Sequence, residues 1–280
     1  METVKYKSIK DLNDAIFKNI SKFPKDIDLI VGIPRSGMLP ANIVALYLNK
    51  PYTDIESFLE GKVYACGFRG NFIKEKNVKN ILVIDDSVSS GSAMNNAKQK
   101  LKEAEKSFNI KYAAVFVRSD SRKNVDVFCE IVDGLRIFQW NLFHHRRILG
   151  TACVDIDGVL CEDPICDDDG PEYHKFLITA TPKFIPSVKI KTLISCRLEK
   201  YRAETEWWLK KHGIEYENLI LLNLPNKESR MKWGKHGEYK ANEYAKSQYS
   251  FFIESSLREA KIIKEKTGKT VFCIETMSII

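Results

Sequence analysis

Along this chain the apolar positions switch repeatedly between helical spacing and short unbroken runs. In residues 8–23, Leu12, Ile16, Phe17 and Ile20 recur at helical spacing, and Ser8 and Asp11 are placed as a capping box. DLIVGIPRSGMLPANIVALYL then reads as strand, loop and helix. Residues 51–79 are less regular and contain Gly61, Gly67 and Gly70. ILVIDDSVSSGSAM, residues 81–94, organises the first half: apolar β-formers run into two aspartates, then a Ser-rich loop with a glycine, then a helical pattern. Such an apolar run predicts a buried parallel strand. The next helix carries Ala97, Leu101 and Ala104, KYAAVFVRS predicts a buried strand, and VDVFCEIVDGLRIFQWNLFHH closes the half.

The second half repeats the alternation. TACVDIDGVLCEDP leads apolar residues into acids, TLISCR is a strand, and residues 201–212 predict a helix with Tyr201, Trp208 and Leu209 on one face. NLILLN is a strand, KHGEYKANEYAK a polar helix, and FFIESS the last strand of that series. The whole predicts an α/β chain of two domains, residues 1–147 and 148–280, each a parallel sheet flanked by helices.

Composition narrows the classes. With 280 residues, 44% hydrophobic and 29% charged, the chain is globular and long enough for two cores. A net charge of +7 fits an acidic or phosphorylated ligand, or an anionic surface. The basic residues form no block and do not interleave with aromatics, which argues against nucleic acid as a partner. Seven cysteines, an odd number without a CxxC pair, suit free thiols in a reducing compartment. METVKYKSIK has no apolar signal region, and no run approaches the roughly 18 apolar residues of a membrane span. The expectation is a cytoplasmic protein without a transmembrane segment, free to visit the inner membrane surface.

The loop after Asp86 sits where open α/β sheets bind ligands, at a strand's carboxyl end. Its N–H groups and the following helix terminus suit a phosphate. Asp85 and Asp86 are placed to accept hydrogen bonds from sugar hydroxyls, so the stretch describes a ribose 5-phosphate. It resembles the signature of type I phosphoribosyltransferases, which use 5-phosphoribosyl-1-pyrophosphate (PRPP). The resemblance implies that Asp85 and Asp86 bind the ribose 2- and 3-hydroxyls. It implies that Ser87, Val88, Ser89, Ser90, Gly91 and Ser92 cradle the 5-phosphate. Ser92 and Ala93 stand where the family has a second glycine and a threonine. Pro34, Arg35, Ser36 and Gly37 match the family's pyrophosphate loop in place and order, against a plain turn as the alternative. Residues 51–79 match a mobile lid, in which Lys62 and Arg69 either meet phosphate or are solvated. Phe138, Gln139, Trp140 and Asn141 partly match a closing F-P-W-E stretch. There Trp140 either stacks on an acceptor or fills a core, and His144 and His145 are either bases or surface histidines.

The string TACVDIDGVL, with carboxylates at i and i+2, resembles motif I of haloacid dehalogenase (HAD) superfamily phosphatases. That resemblance makes Asp155 the nucleophile and Asp157 the acid and base. It calls for Mg²⁺ held by Asp155, Asp157 and Glu254. Ser195 then binds a phosphoryl oxygen and Arg197 is a candidate substrate contact. Lys240 is the neutralising lysine, ahead of Lys232, Lys235 and Lys246. Asp167, Asp168 and Asp169 are a metal site or a solvated loop. The spacing between motifs leaves room for little or no cap.

Together the halves imply transfer of phosphoribosyl from PRPP to an acceptor and then loss of the 5-phosphate. The resemblance extends to bacterial two-domain proteins that install ribofuranose in surface polysaccharides, which makes the acceptor a glycan hydroxyl, lipid-linked in one version. Two alternatives stand beside it: nucleobase phosphoribosyl transfer coupled to 5′-nucleotidase action, and a PRPP-sensing binding protein.

Overall fold

The computed structural model describes residues 4–64, 78–165 and 169–280. Arg69, Gly67, Gly70, Asp167 and Asp168 lie outside the described residues. The chain divides into two compact units, Glu2–Arg136 and Ile137–Ile280.

The first unit opens with strand β1 (Val4–Lys7) and helix α1 (Ile9–Lys18). The capping box is present: the Ser8 hydroxyl accepts from the Asp11 N–H at 3.0 Å, and Asp11 Oδ2 accepts from the Ser8 N–H at 2.8 Å. Leu12, Ala15 and Ile16 face the core, whereas Phe17, expected on the same stripe, is 62% exposed. Ile16 and Phe17 are adjacent, about 100° apart around a helix, so one stripe cannot bury both. The remaining elements are β2 (Leu29–Gly32), α2 (Met38–Leu48), β3 (Tyr52–Asp54), α3 (Ile55–Leu59), β4 (Asn80–Val88), α4 (Ser92–Leu101), β5 (Asn109–Val117) and β6 (Val127–Ile131). β7 (Leu135–Phe138) carries the chain from one unit into the next.

The five-stranded sheet has the order β3-β2-β4-β5-β6, with every pair parallel. β4 lies at its centre, which explains its apolar run: Ile81, Leu82, Val83 and Ile84 are all buried. β4 does not stop at the aspartates. Asp85 pairs with Ala114, Ser87 with Phe116 and Val88 with Val117 on the equally long β5. Ser87 and Val88, expected in the phosphate loop, are therefore strand, and the loop shrinks to Ser89, Ser90 and Gly91.

The second unit contains α5 (Arg146–Leu149), β8 (Ala152–Val154), α6 (Pro171–Thr179), β9 (Ile190–Leu198), α7 (Arg202–Lys211), β10 (Tyr216–Leu222) and α8 (Lys227–Trp233). It ends with α9 (His236–Lys246), β11 (Phe251–Glu254), α10 (Leu257–Thr267), β12 (Thr270–Cys273) and β13 (Ser278–Ile279). Its sheet runs β10-β9-β8-β11-β12-β13, parallel except for the last pair. Trp208 is fully buried on α7 and donates its indole N–H to the Ala180 carbonyl at 2.8 Å.

By their contacts residues 137–147 group with the second unit. Phe143 stacks on Phe184 with centroids 4.7 Å apart, and His144 Nδ1 lies 2.9 Å from the Ser187 hydroxyl. Among the described residues no helix is long and apolar enough to cross a membrane.

Candidate active sites

In the first unit the site is built from backbone. The β2–α2 turn folds so closely on the strand ends that a Cβ on Gly37 would lie 2.4 Å from the Ile33 carbonyl oxygen and 2.8 Å from that of Ile84. Only glycine fits. The Pro34–Arg35 peptide is cis, and both of those residues are exposed. Ser36 turns inward and donates its hydroxyl to Asp86 Oδ1 at 2.9 Å, tying this loop to the end of β4.

Asp85 and Asp86 are both buried, and Asp85 Oδ1 accepts the Asp86 N–H at 2.8 Å. Burial first, and the like charge of Asp86 second, push the Asp85 carboxyl up to about 8. That raised value favours one proton shared on the pair, which then offers a donor as well as acceptors. Beyond it Ser89 and Ser90 are exposed, and Gly91 takes φ of +84° to start α4. Ser92 N–H donates to the Ser90 hydroxyl at 3.3 Å across Gly91. Two residues of the turn after β5 hold the loop. The Ser121 hydroxyl donates to the Ser89 carbonyl, and Asn124 lies over Gly91, where a Cβ would meet its amide nitrogen at 2.5 Å. The sequence reading missed both. Their only signal is position, a polar turn after the neighbouring strand.

Lys62 is exposed and pairs with Glu60 at 2.5 Å, the solvated alternative of the two. Trp140 stacks on Phe138 at 5.1 Å with 13° between the planes. His145 accepts the Ile148 N–H at 3.3 Å as the cap of α5, and burial holds its pKa below the usual histidine value. His144 is exposed and engaged with Ser187 as described above.

In the second unit the site is built from side chains. Asp155 follows β8, Ser195 lies on β9, Lys240 on α9, and Glu254 ends β11. Asp155, Asp157, Ser195 and Lys240 line one cavity of about 220 Å³. Lys240 Nζ reaches Asp155 Oδ2 at 2.6 Å, Glu254 Oε2 at 2.9 Å and Glu259 Oε2 at 2.8 Å. Burial opposes its charge, but the three carboxylates outweigh burial and hold Lys240 well above its ordinary pKa. Lys232 and Lys235 are exposed, and Lys246 is exposed and pairs with Glu243. Glu259 went unnoticed in the sequence. Its signal was an acid in the first turn of the helix after Glu254.

Arg197 is not the substrate contact expected of it. It is fully buried, its Nη2 sits 2.6 Å from Asp157 Oδ1, and its Nε sits 3.1 Å from both Asp157 oxygens. The fork geometry of a guanidinium matches a carboxylate in this way. Asp157 is thereby held in the fork of Arg197 while lining the same cavity as Asp155. Among the described residues no three acidic, histidine or cysteine side chains are grouped to hold a metal ion. Asp155 and Glu254 still offer the hard oxygen donors that Mg²⁺ takes. Gly158, with φ of +72°, lets the turn pass Ser255, whose Cβ a glycine-replacing Cβ would meet at 2.6 Å. Asp169 accepts the Lys227 N–H and pairs with Lys200 at 3.2 Å, which makes it a loop anchor.

The family model of the phosphoribosyl transferase domain matches residues 5–146. The chain belongs to the phosphoribosyl transferase family. PRPP is the expected substrate of such a domain, and its members generally bind PRPP with Mg²⁺. No curated protein matches the chain. Among solved structures, a xanthine-guanine-hypoxanthine phosphoribosyltransferase from Helicobacter pylori is 17% identical. It covers 51% of this chain and 95% of its own, with a TM-score of 0.38. A purine phosphoribosyltransferase from Pyrococcus horikoshii is 21% identical over 49% of this chain and 93% of its own, with a TM-score of 0.35. The matched residues contain Ser36, Asp85, Asp86 and Gly91 and end before Asp155.

Proposed function

We propose that the chain transfers 5-phosphoribosyl from PRPP to a glycan hydroxyl and then removes the 5-phosphate, leaving a ribofuranosyl residue. The observation that carries the second step is the cavity in which Asp155, Ser195 and Lys240 meet. HAD-type chemistry needs a buried carboxylate beside a cation and a hydroxyl, and these three residues supply them. In the first step the anomeric carbon passes through an oxocarbenium-like state, so positioning and stabilisation of departing pyrophosphate matter more than a strong base. The loop at Gly37 and the loop at Gly91 offer N–H groups for the two phosphate ends. Asp85 and Asp86 fix the ribose between them.

In the second step an Asp155 oxygen bonds to phosphorus, and the sugar O5 leaves with a proton. Water then cleaves the aspartyl phosphate and releases inorganic phosphate. Lys240 neutralises the charge that accumulates on Asp155 and the phosphoryl oxygens, and Ser195 donates to one of those oxygens. For Asp157 to pass the proton, its carboxylate must swing out of the Arg197 fork. Mg²⁺ held by Asp155 and Glu254 would shield phosphate from carboxylate repulsion. The modest positive charge of the chain is compatible with a lipid-linked acceptor and a peripheral place at the inner membrane surface.

Asp155→Asn tests the division of labour. Incubated with PRPP, Mg²⁺ and glycan acceptors, the variant should stall at a product heavier than the wild-type product by one phosphate, and that mass names the acceptor. Fully dephosphorylated product from the variant would sink the reading. Wild-type turnover of free bases with glycans ignored would move the function to nucleoside formation.

A further inference from the structure

The loop that opens α4 is not held by its own strand alone. β4 and β5 end in register, Val88 beside Val117, so the turn after β5, Ser119–Asn124, lies next to Ser89–Gly91. The buried Ser121 hydroxyl donates to the Ser89 carbonyl and fixes the turn against the loop. Asn124 then lies over Gly91. A Cβ built on that glycine would meet Asn124 Nδ2 at 2.5 Å, Cγ at 3.2 Å and Oδ1 at 3.8 Å. The amide nitrogen is the end that faces the loop, and among the described residues no hydrogen bond engages it.

From this placement we propose that Asn124 is a 5-phosphate-binding residue: its Nδ2 donates to a terminal oxygen of the sugar phosphate held at Ser89–Gly91. The inference rests on the reading that this loop holds the 5-phosphate of PRPP. The loop has spent part of its own donor set. Ser92 N–H goes to the Ser90 hydroxyl at 3.3 Å, and the Ser90 and Ser92 hydroxyls share a hydrogen bond at 2.9 Å. A phosphate presents three strong acceptor oxygens, so a donor from a second strand has a place to bind. The Ser121 tether sets the turn before the ligand arrives, which keeps the cost of ordering Asn124 small. Arg122 and Lys123 on the same turn are exposed, so their charge acts through solvent and is screened by salt. Gripped from two strands, the phosphate end selects phosphorylated ribose over the free sugar.

Calorimetry separates this contact from the reading beneath it. The parent is the full chain carrying Asp155→Asn, so that no 5-phosphate is lost during the titration, and the ligands are PRPP and pyrophosphate at fixed Mg²⁺. Asn124→Ala should weaken PRPP about tenfold or more, the scale of one hydrogen bond to a charged group, with pyrophosphate affinity unchanged. Asn124→Asp keeps the shape, sets an anion against an anion, and should weaken PRPP further. Lys123→Gln removes screened charge alone and should change PRPP affinity by less than about threefold at physiological salt. PRPP bound as tightly by both Asn124 variants as by the parent would overturn the contact and leave the loop reading standing. So would an affinity restored by aspartate, a loss in Lys123→Gln equal to that in Asn124→Ala, or equal losses of PRPP and pyrophosphate, which would make Asn124 a support of the fold. A parent that binds PRPP no tighter than pyrophosphate would take down the loop reading and this contact with it.

Discussion

The two units build their candidate sites in opposite ways. The first unit offers backbone: a glycine turn pressed against strand ends and a short loop opening a helix, both held in place by hydroxyls. Its acids face each other, and burial first, then the like charge of Asp86, favours the protonated form of Asp85. The second unit offers side chains: one buried lysine among three carboxylates and one buried arginine gripping a fourth. A backbone cradle tolerates an exposed, wet site because its dipoles are fixed by the fold. A buried ionic cluster depends on every member being present.

That contrast can be broken most severely at Lys240. Lys240→Met would leave two buried carboxylates, Asp155 and Glu254, and the partly exposed Glu259 without their cation and should destabilise the second unit by about 3–5 kcal/mol. All four tryptophans, at positions 140, 207, 208 and 233, fall in Ile137–Ile280, so the denaturant midpoint read by tryptophan fluorescence reports that unit. An unchanged midpoint would mean that the cluster is not a structural dependency.

The equivalent blow to the first unit is geometric. Gly37→Ala places a methyl 2.4 Å from a backbone oxygen that cannot move independently. Overpacking of this kind costs about 1–3 kcal/mol, and PRPP affinity measured by calorimetry should fall about tenfold or more. Wild-type affinity in the variant would show that the turn does not touch pyrophosphate.

Asp85→Asn sharpens the comparison through pH. The carboxyl is protonated up to about 8 in the folded chain and to about 4 in the unfolded one. Between those values the folded state binds more protons, so stability is present in acid and falls as pH rises toward 8. Asparagine removes that dependence. The melting temperature of the variant should exceed that of the wild type by more at pH 8 than at pH 5, and a constant difference would contradict the shared proton.

The smallest effect is expected at Ser121→Ala, which releases the Ser89 carbonyl. The loss of one hydrogen bond, about 1 kcal/mol, should appear mainly as weaker PRPP binding. A full unfolding transition shifted by several degrees instead would make Ser121 a core residue rather than a loop support.

Much of each site was legible in one dimension because its parts are contiguous. ILVIDDSVSSGS holds strand, acids and cradle in a single stretch, since a parallel strand must hand its chain directly to the loop at its carboxyl end. The end of β4 was not legible: Ser87 and Val88 look like loop residues and become strand only because β5 continues beside them. Ser121 acts on Ser89 from 32 residues away, Arg197 on Asp157 from 40, and Lys240 on Asp155 from 85. No periodicity carries such pairings. Arg197 shows the hazard, since a charged residue at a strand end looks like a ligand contact until its buried partner is seen.

By itself, the order of residues determined which stretches are strands, where glycine is compulsory, and that a Ser-rich turn with a glycine opens α4. These are local matters, decided by side-chain period and by steric limits on the backbone. The tertiary structure alone decided where charges meet: Lys240 among its three acids, Asp157 in the grip of Arg197, and Arg118 with Arg136 over Val88. Electrostatic partners are chosen by distance through space, and distance through space exists only once the sheets have formed.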